Sequence, residues 1–80
     1  MKHYFTLGQI HTHSINGKTI DRDTVAVLYA PTHKQAREQF FAWTEGKFHN
    51  SYSEDQWDEP TMLPYYPKGY VYLNHEEPSQ

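Results

Sequence analysis

Hydrophobic and polar residues alternate along the first part of the chain, which is the pattern of β-strands with one buried face. Residues 4 to 15 (YFTLGQIHTHSI) are rich in β-branched and aromatic types and predict a first strand, with Gly8 as a bulge. Asn16-Gly17 predicts a tight hairpin turn. Residues 19 to 30 predict the returning strand, and their continuously apolar second half (TVAVLYA) is typical of a central strand.

A helix is predicted after this strand. Thr32 and Gln35 have the spacing of a capping box, in which the side chain of each residue accepts a hydrogen bond from the backbone N–H of the other. Gly46 stands where a left-handed C-terminal cap belongs. The apolar residues between them share one stripe at i, i+4 and i+7: Ala36, Phe40 and Trp43. Phe41 lies off this stripe, and we expect it to pack sideways against the sheet edge rather than to be exposed.

The C-terminal third of the chain predicts one strand, one loop and a last short strand. Residues 47 to 52 alternate, and one buried face would then hold Phe48, Asn50 and Tyr52. Residues 53 to 60 (SEDQWDEP) predict a surface loop or a single helical turn. Lys68-Gly69 predicts a turn into a short strand over residues 70 to 73. Residues 74 to 80 are a polar tail with no reason to order.

This order of elements predicts an α+β fold of two layers: a small antiparallel sheet with one helix packed on one face. Residues 1 to 73 form a single domain in this interpretation. The chain has 80 residues and no cysteine, so no disulfide framework supports it. Leu, Ile, Val and Phe supply only 14 of the 80 residues, whereas aromatic residues supply 16% of the chain. We therefore expect a folded core built from rings more than from aliphatic side chains.

Charge, hydropathy and motifs narrow the functional classes. The longest apolar run, Val25 to Ala30, is far shorter than the roughly 20 residues that cross a bilayer, and no signal peptide opens the chain, so we expect a cytoplasmic protein. Seven basic residues against ten acidic ones give no general attraction to nucleic acid. The sequence lacks a phosphate-binding glycine loop, HExxH, GxSxG and any cysteine nucleophile. A non-enzymatic binding module without a cofactor is the preferred interpretation, because a chain this small has little room for a deep cleft.

Four residues of the predicted hairpin have side chains that zinc or manganese accepts as ligands. They are His11, His13, Asp21 and Asp23. Whether they meet depends on the register of the hairpin. A two-residue turn would set His13 opposite Ile20 and direct the aspartates to the other side of the sheet. A three-residue loop would set His11 opposite Asp21, and all four side chains would then share a face.

The apolar pattern favours the three-residue loop, because Phe5 and Leu7 would then share a face with Val25, Val27 and Tyr29. A solvated hairpin end is the simpler interpretation of the four polar residues. The metal site is therefore kept as the alternative function. The remaining histidines are expected at surface or capping positions: His3, His33, His49 and His75.

Aromatic residues and prolines are concentrated in residues 63 to 72 (LPYYPKGYVY). Tyrosine offers a large rigid surface with a polar tip, and proline fixes the loop before binding, so this segment predicts a contact surface for a partner. Its candidate residues are Tyr65, Tyr66, Lys68, Tyr70 and Tyr72. The alternative is that these tyrosines cover a core that is poor in aliphatic residues.

The start of the last strand also resembles the Lys-Gly-aromatic signature of the RNA-recognition motif. Lys68, Gly69 and Tyr70 match its beginning, and Tyr70 and Tyr72 have the spacing of rings that stack on bases. Val71 departs from the small residue of the signature, and the second helix of that fold has no counterpart here. Binding of single-stranded nucleic acid is therefore a minor alternative.

An acidic segment surrounds Trp57. Four carboxylates lie within residues 53 to 60, which contain no basic residue: Glu54, Asp55, Asp58 and Glu59. An acidic patch with an aromatic centre would suit a basic surface on a partner protein. The alternative is a solvated loop in which Trp57 folds back onto the core.

Several motifs together resemble small uncharacterised proteins encoded by bacteriophages and prophages. The matching segments are residues 4 to 9 (YFTLGQ), His11-x-His13, residues 16 to 19 (NGKT), Asp21-x-Asp23, Ala36-Arg37 and Tyr66-Pro67-x-Gly69-Tyr70. This family has no activity to carry over. The resemblance implies a host bacterial cytoplasm and an accessory protein that binds and modulates a host protein or a defence complex. Pairing of two copies through a sheet edge, which would give a homodimer, is left open.

Overall fold

The computed structural model describes residues 1 to 8, 12 to 48 and 50 to 74. Its elements in chain order are β1 (Lys2–Thr6), β2 (His13–Ile15), β3 (Lys18–Ile20), β4 (Thr24–Tyr29), α1 (His33–Thr44), β5 (Asn50–Ser53), α2 (Glu59–Met62), a 3₁₀ turn (Leu63–Tyr65) and β6 (Gly69–Tyr72). Four strands form one sheet in the order β5-β1-β4-β6, and β2 and β3 form a separate pair. The α+β class is confirmed.

The two long strands predicted at the start of the chain are each divided in two. The first is split between β1 and β2, and residues 9 to 11 between them lie outside the described residues. The second is interrupted by a turn after β3, where the Asp21 carboxylate accepts a hydrogen bond from the Asp23 amide at 2.8 Å and Thr24 Oγ accepts one from the Asp21 amide at 2.9 Å. These local bonds compete with strand pairing, so the hairpin leaves the main sheet.

The hairpin has the two-residue turn, and the preferred three-residue loop is wrong. His13 lies opposite Ile20, and the turn residues Asn16 and Gly17 both have positive φ, at 52° and 76°. Asparagine and glycine tolerate this conformation better than other residues, which is why Asn-Gly selects a type I′ turn. The register also buries Ile20 completely on the inner face.

The main sheet is mixed, so the antiparallel sheet of the prediction is wrong for its last strand. β1 runs antiparallel to both β4 and β5, but β6 runs parallel to β4. After β5 the chain crosses to the far edge of the sheet through α2 and the 3₁₀ turn, a connection long enough for parallel entry. The Lys68 amide then donates to the Asp23 carbonyl at 2.9 Å, which starts β6 beside the beginning of β4.

Both faces of the main sheet are covered. Nine of the twelve buried hydrophobic side chains in the described part of the chain are aliphatic, so the prediction of a core built mostly from rings is wrong, although rings dominate the cover of one face. Helix α1 packs on one face, where the buried cluster consists of Phe5, Leu7, Ile15, Ile20, Ala26, Leu28, Ala36, Phe40 and Leu73. On the other face, Tyr4, Val25 and Val27 are buried beneath half-buried rings, which belong to Tyr29, Tyr52, Trp57, Tyr66, Tyr70 and Tyr72. A second helical layer is therefore replaced by a layer of side chains.

The strand predicted over residues 47 to 52 is shorter and begins later. It starts only at Asn50, so Phe48 does not take part in its alternation. Phe48 packs edge-on against Phe5 on the helix side, with ring centroids 5.6 Å apart. Tyr52 lies on the opposite face and Asn50 is exposed. The predicted common face is therefore wrong.

The predicted caps of α1 are confirmed at Thr32 and Gly46, but the capping box is only half formed, because the Gln35 side-chain oxygen accepts from the Thr32 hydroxyl at 3.4 Å instead of from its amide. Thr32 Oγ accepts a hydrogen bond from the Gln35 amide at 3.2 Å. At the other end, Glu45 and Gly46 both have left-handed φ, at 57° and 79°. Phe41 is 59% exposed, so its expected packing against the sheet edge is wrong.

The Phe41 ring lies over Gly46 instead. A Cβ at Gly46 would come within 2.8 Å of this ring, so the absence of a side chain lets the ring approach the backbone.

Asn74, the first residue of the predicted polar tail, belongs to the folded structure. The Asn74 side-chain oxygen accepts from the Tyr29 amide at 2.9 Å, and the Asn74 side-chain nitrogen donates to the Tyr29 carbonyl at 2.7 Å. Residues 75 to 80 lie outside the described residues. Within the described part of the chain, no helix is long and apolar enough to cross a membrane.

Gly46→Ala is expected to lower the free energy of unfolding by about 1 kcal/mol, because an L side chain is disfavoured at positive φ. Gly17→Ala is the matched control, since Gly17 has φ of 76° and open space around its Cβ position. Urea denaturation should give similar losses for the two variants, because the exposed Phe41 ring can move away from the new methyl group. A loss at Gly46 below half of that at Gly17 would argue against a left-handed cap.

Candidate functional site

Three of the four candidate metal ligands of the hairpin lie in the described residues, and His13, Asp21 and Asp23 do not form a metal-binding group there. His13 Nε2 donates to the Lys47 carbonyl at 3.2 Å, and the Asp21 carboxylate is paired with Lys68 at 2.8 Å. His11 lies outside the described residues. Across residues 1 to 8, 12 to 48 and 50 to 74, no group of three or more His, Asp or Glu side chains could hold a metal ion.

Lys68 is engaged within the molecule. Its ammonium group donates to the Asp21 carboxylate, and this hydrogen bond holds the pKa of Asp21 below its ordinary value. The backbone amide of Asp23 adds to the effect. Lys68 therefore joins β6 to the turn before β4 through an ion pair at the surface.

Trp57 folds back onto the sheet, as the alternative interpretation of the acidic segment proposed. Its ring stacks on Tyr4 with centroids 4.8 Å apart and planes 15° apart. Its Nε1 donates to the Tyr70 hydroxyl at 3.0 Å. An acidic patch centred on an exposed tryptophan is therefore wrong, because this ring is half-buried and already occupied.

The carboxylates around Trp57 are exposed, and three of the four accept hydrogen bonds within the chain. Glu54 accepts from the Lys2 amide at 3.1 Å, and Asp58 accepts from the Thr61 hydroxyl at 2.8 Å. Glu59 accepts from the Tyr70 hydroxyl, as described below. Asp55 is exposed as well. The negative charges are thus held in place on the surface.

The contact between Glu59 and Tyr70 links α2 to β6. The Tyr70 hydroxyl donates to the Glu59 carboxylate at 2.5 Å. Burial and this bond to a carboxylate raise the pKa of Tyr70 well above its ordinary value. Tyr70 therefore stays a neutral hydrogen-bond donor across the physiological pH range.

The last strand does not present an open stacking platform for nucleic acid bases. Tyr70 and Tyr72 share one face, with ring centroids 6.2 Å apart. Tyr70 also contacts Tyr4 at 5.9 Å, and Tyr72 lies 6.4 Å from Tyr29. These rings cover the buried Val25 and Val27 side of the sheet. Their geometry favours a role in the core over a role in base stacking.

The exposed part of the proline and tyrosine segment is the loop that precedes β6. Tyr65 is 74% exposed, whereas Tyr66 is half-buried against Trp57. A groove of about 430 Å³ lies beside this loop, lined by Glu59, Pro60, Leu63, Pro64, Tyr66, Pro67 and Gly69. We call this groove and Tyr65 the Pro-Tyr face, and Glu59 is the carboxylate that lines it.

Comparison of the chain with protein-family models, curated proteins and solved structures finds no match. Its function is therefore inferred from its residues and their geometry.

A pair of histidines lies where surface or capping positions were expected. His3 is fully buried, and its Nδ1 lies 2.9 Å from Nδ1 of His33, the first residue of α1. His3 Nε2 lies 3.2 Å from the Ala30 carbonyl. A signal was present in the sequence, because His3 alternates with Phe5 and Leu7 and so belongs to their buried face. The contact of His3 with His33 could not be predicted from this alternation, because His33 belongs to helix α1.

His33 also lines a groove on the surface of the protein. This groove has a volume of about 530 Å³ and is lined by His33, Lys34, Arg37, Glu38, Phe41 and Phe48. We call it the helix groove. It lies on the side of the sheet that α1 covers, whereas Trp57 and its neighbouring rings cover the opposite side.

Stability is expected to fall in mild acid because of His33. Burial, followed by the nearby His3 and Arg37, lowers the pKa of His33 below 6.5. The folded state then binds fewer protons at this group than the unfolded chain does, so its contribution is complete above about pH 6.5 and is lost as the pH falls through the folded pKa. We expect the free energy of unfolding in urea to decrease between about pH 7 and pH 5.

His33→Gln is the variant that isolates this effect, because it keeps a polar side chain at the position and removes the titrating group. Its stability should vary less with pH over the same interval than that of the wild type. Equal pH slopes for the two proteins would assign the acid sensitivity to other groups.

Proposed function

We propose that this protein is a small non-enzymatic interaction module that binds a basic surface on another protein through the Pro-Tyr face. In keeping with the phage resemblance, we place it in a host bacterial cytoplasm as an accessory protein that modulates a host protein or a defence complex. The observation that carries the proposal is the exposed Tyr65 in a turn rich in proline, next to a groove that is lined by the Glu59 carboxylate.

Tyr65 is suited to anchor a partner because its surroundings are rigid. It ends the 3₁₀ turn between Pro64 and Pro67, and hydrogen bonds of 2.9 Å from the Tyr66 amide to the Leu63 carbonyl and from the Gly69 amide to the Tyr66 carbonyl close the loop. A loop that is already ordered loses little conformational entropy on binding. A large exposed ring in such a position is typical of an interface hot spot.

The electrostatics of the Pro-Tyr face favour a positively charged partner. Residues 53 to 67 contain four carboxylates and no Lys or Arg. Glu59 lines the groove beside Tyr65 together with proline and leucine side chains, so an arginine or lysine side chain could place its aliphatic part on the prolines and its charge on Glu59. Opposite charges across an interface also speed the encounter at low salt.

Binding through a face is favoured over pairing through a sheet edge. On β5, the Ser51 and Ser53 amides donate to the side chains of Asn50 and Gln56, at 3.0 and 3.1 Å. At the other edge, Lys18 Nζ donates to the Tyr72 carbonyl and Asn16 donates to the Leu73 carbonyl at 2.8 Å. Edges whose polar groups are occupied offer fewer sites for a further strand. A homodimer through these edges is therefore not part of the proposal.

The test is capture of a partner from bacterial lysate by the immobilised protein, followed by affinity measurement on the purified pair. We expect one stoichiometric partner. Tyr65→Ala should weaken its binding by on the order of 2 kcal/mol, or about thirtyfold. Phe41→Ala is the matched control, because Phe41 is also an exposed ring, at 59%, but lies on the helix side. It should bind like the wild type.

Affinity for the partner should also fall as salt is added, because the predicted contact is between opposite charges. Recovery of no stoichiometric partner would refute the proposal. So would a partner that binds Tyr65→Ala and wild type equally well.

A further inference from the structure

The helix groove is lined by His33, and the buried His3 determines which ring nitrogen of His33 donates and which accepts a hydrogen bond. A carbonyl oxygen only accepts hydrogen bonds, so the contact between His3 Nε2 and the Ala30 carbonyl places a proton on that nitrogen. Neutral His3 then offers a lone pair at Nδ1. Its neighbour at 2.9 Å, Nδ1 of His33, must therefore be the donor.

This chain of bonds leaves His33 Nε2 as an acceptor. A neutral imidazole carries one proton, and His33 uses it toward His3. Within the described residues, Nε2 of His33 makes no hydrogen bond. Nδ1 is engaged by the buried His3, so Nε2 is the ring nitrogen of His33 that is available to a ligand in the helix groove, which this residue lines. The groove thus has an oriented acceptor on its wall.

Two phenyl rings form the apolar part of the groove. Phe41 is exposed and its ring lies over Gly46, where a Cβ would come within 2.8 Å of the ring. Phe48 packs edge-on against Phe40 with centroids 5.3 Å apart, so it is fixed by the core. A planar apolar group entering the groove would meet rings on more than one side, which is the arrangement that favours aromatic ligands.

Two cations lie on the same wall of α1. Lys34 and Arg37 are three residues apart on the helix, so their side chains are neighbours, and both line the groove. A single carboxylate, Glu38, opposes them, so the lining carries more positive than negative charge although the whole chain has a formal charge of -3. Arginine binds a carboxylate with two parallel hydrogen bonds.

We propose that the helix groove binds a small aromatic carboxylate that carries a hydroxyl group on its ring. The carboxylate pairs with Arg37 and Lys34, the ring packs against Phe41 and Phe48, and the hydroxyl donates to His33 Nε2. The volume of about 530 Å³ suits a small molecule, because ligand pockets commonly span about 300 to 1,000 Å³. The site is separate from the Pro-Tyr face and does not depend on the proposed partner.

The test is a calorimetric and NMR titration of the purified protein with 4-hydroxybenzoate near pH 7.5, where His33 is neutral. We expect saturable binding that shifts signals of His33, Phe41 and Phe48. Benzoate lacks the hydroxyl and 4-hydroxybenzyl alcohol lacks the charge, and each should bind at least fivefold more weakly. Equal binding of all three compounds would overturn the proposal, as would the absence of saturable binding by 4-hydroxybenzoate.

Variants locate the site. Arg37→Gln and Phe41→Ala change exposed side chains and should keep the fold, which circular dichroism checks. Each should weaken binding of 4-hydroxybenzoate at least tenfold. Tyr65→Ala is the control on the other face and should bind like the wild type. Unchanged affinity in both Arg37→Gln and Phe41→Ala would show that the compound binds elsewhere and would refute the assignment.

Discussion

Phe40→Ala is expected to remove about 3 to 5 kcal/mol from the free energy of unfolding. The Phe40 side chain is fully buried and stacks on Phe5 with ring centroids 4.2 Å apart, and Phe48 packs edge-on against both rings. The substitution would leave a cavity that these rigid rings cannot fill. A chain of 80 residues has a total stability of roughly 4 to 12 kcal/mol, so the variant should be largely unfolded in modest urea.

The neighbouring residue gives a close control for this prediction. Phe41→Ala removes the same ring from the same helix, but this ring is 59% exposed. It should change stability by less than about 1 kcal/mol. Urea denaturation followed by circular dichroism would measure both variants. Similar losses for the two would mean that α1 does not pack through Phe40 in the way described.

Trp57→Ala is expected to cost about 3 kcal/mol, the second large effect. Trp57 is the centre of the ring layer on the face opposite α1, where it stacks on Tyr4 and contacts Tyr52, Tyr66 and Tyr70. Its loss would expose the side of the sheet that holds Val25 and Val27, and this burial has no substitute in the described structure. Urea denaturation followed by the fluorescence of the remaining Trp43 would measure the loss.

Trp57→Phe separates packing from hydrogen bonding at this position. It retains a ring on Tyr4 but loses the Nε1 donor to the Tyr70 hydroxyl, so it should cost roughly 1 kcal/mol beyond the change in ring size. A Trp57→Ala variant within about 0.5 kcal/mol of wild type would contradict the covering role. In that case the tryptophan would become available again as a partner-binding residue.

The two predictions describe a sheet with two different covers. On one face the sheet is covered by Phe40 from helix α1. On the other face it is covered by the side chains of Trp57 and several tyrosines, without a helix. This division explains why a chain with 14 Leu, Ile, Val and Phe residues among 80 can bury both sides of a sheet. It also decides which aromatic residues remain for binding, namely the exposed Tyr65 and Phe41.

Local sequence signals predicted the local structure well. The N-cap at Thr32, the left-handed Gly46 and the Asn16-Gly17 hairpin all occur, because each depends on the φ preferences and side-chain oxygens of a few adjacent residues. Alternation placed Tyr70 and Tyr72 on one face and Val71 and Leu73 on the other, since neighbouring side chains in a strand point in opposite directions.

Predictions that required distant residues to meet were less successful. The register of the hairpin was chosen from an apolar pattern that assumed two long continuous strands, and the turn at Asp21 to Thr24 breaks the second of them. The contact surface was assigned to all the surplus tyrosines. Tyr66 and Tyr70 instead pack against Trp57, Tyr72 packs on the same face of the sheet, and Tyr65 is the exposed one of the four.

The sequence by itself determined the α+β class, the helix with its caps and the turn of the hairpin, because these follow from short-range conformational preferences and from the period of hydrophobic residues. Only the tertiary structure decided the parallel pairing of β6, the contact between His3 and His33 and the packing of Trp57 against the sheet. Each of these joins residues that are at least 13 positions apart in the chain. Such contacts depend on the free energy of the whole packed structure, which cannot be predicted from a local sequence pattern.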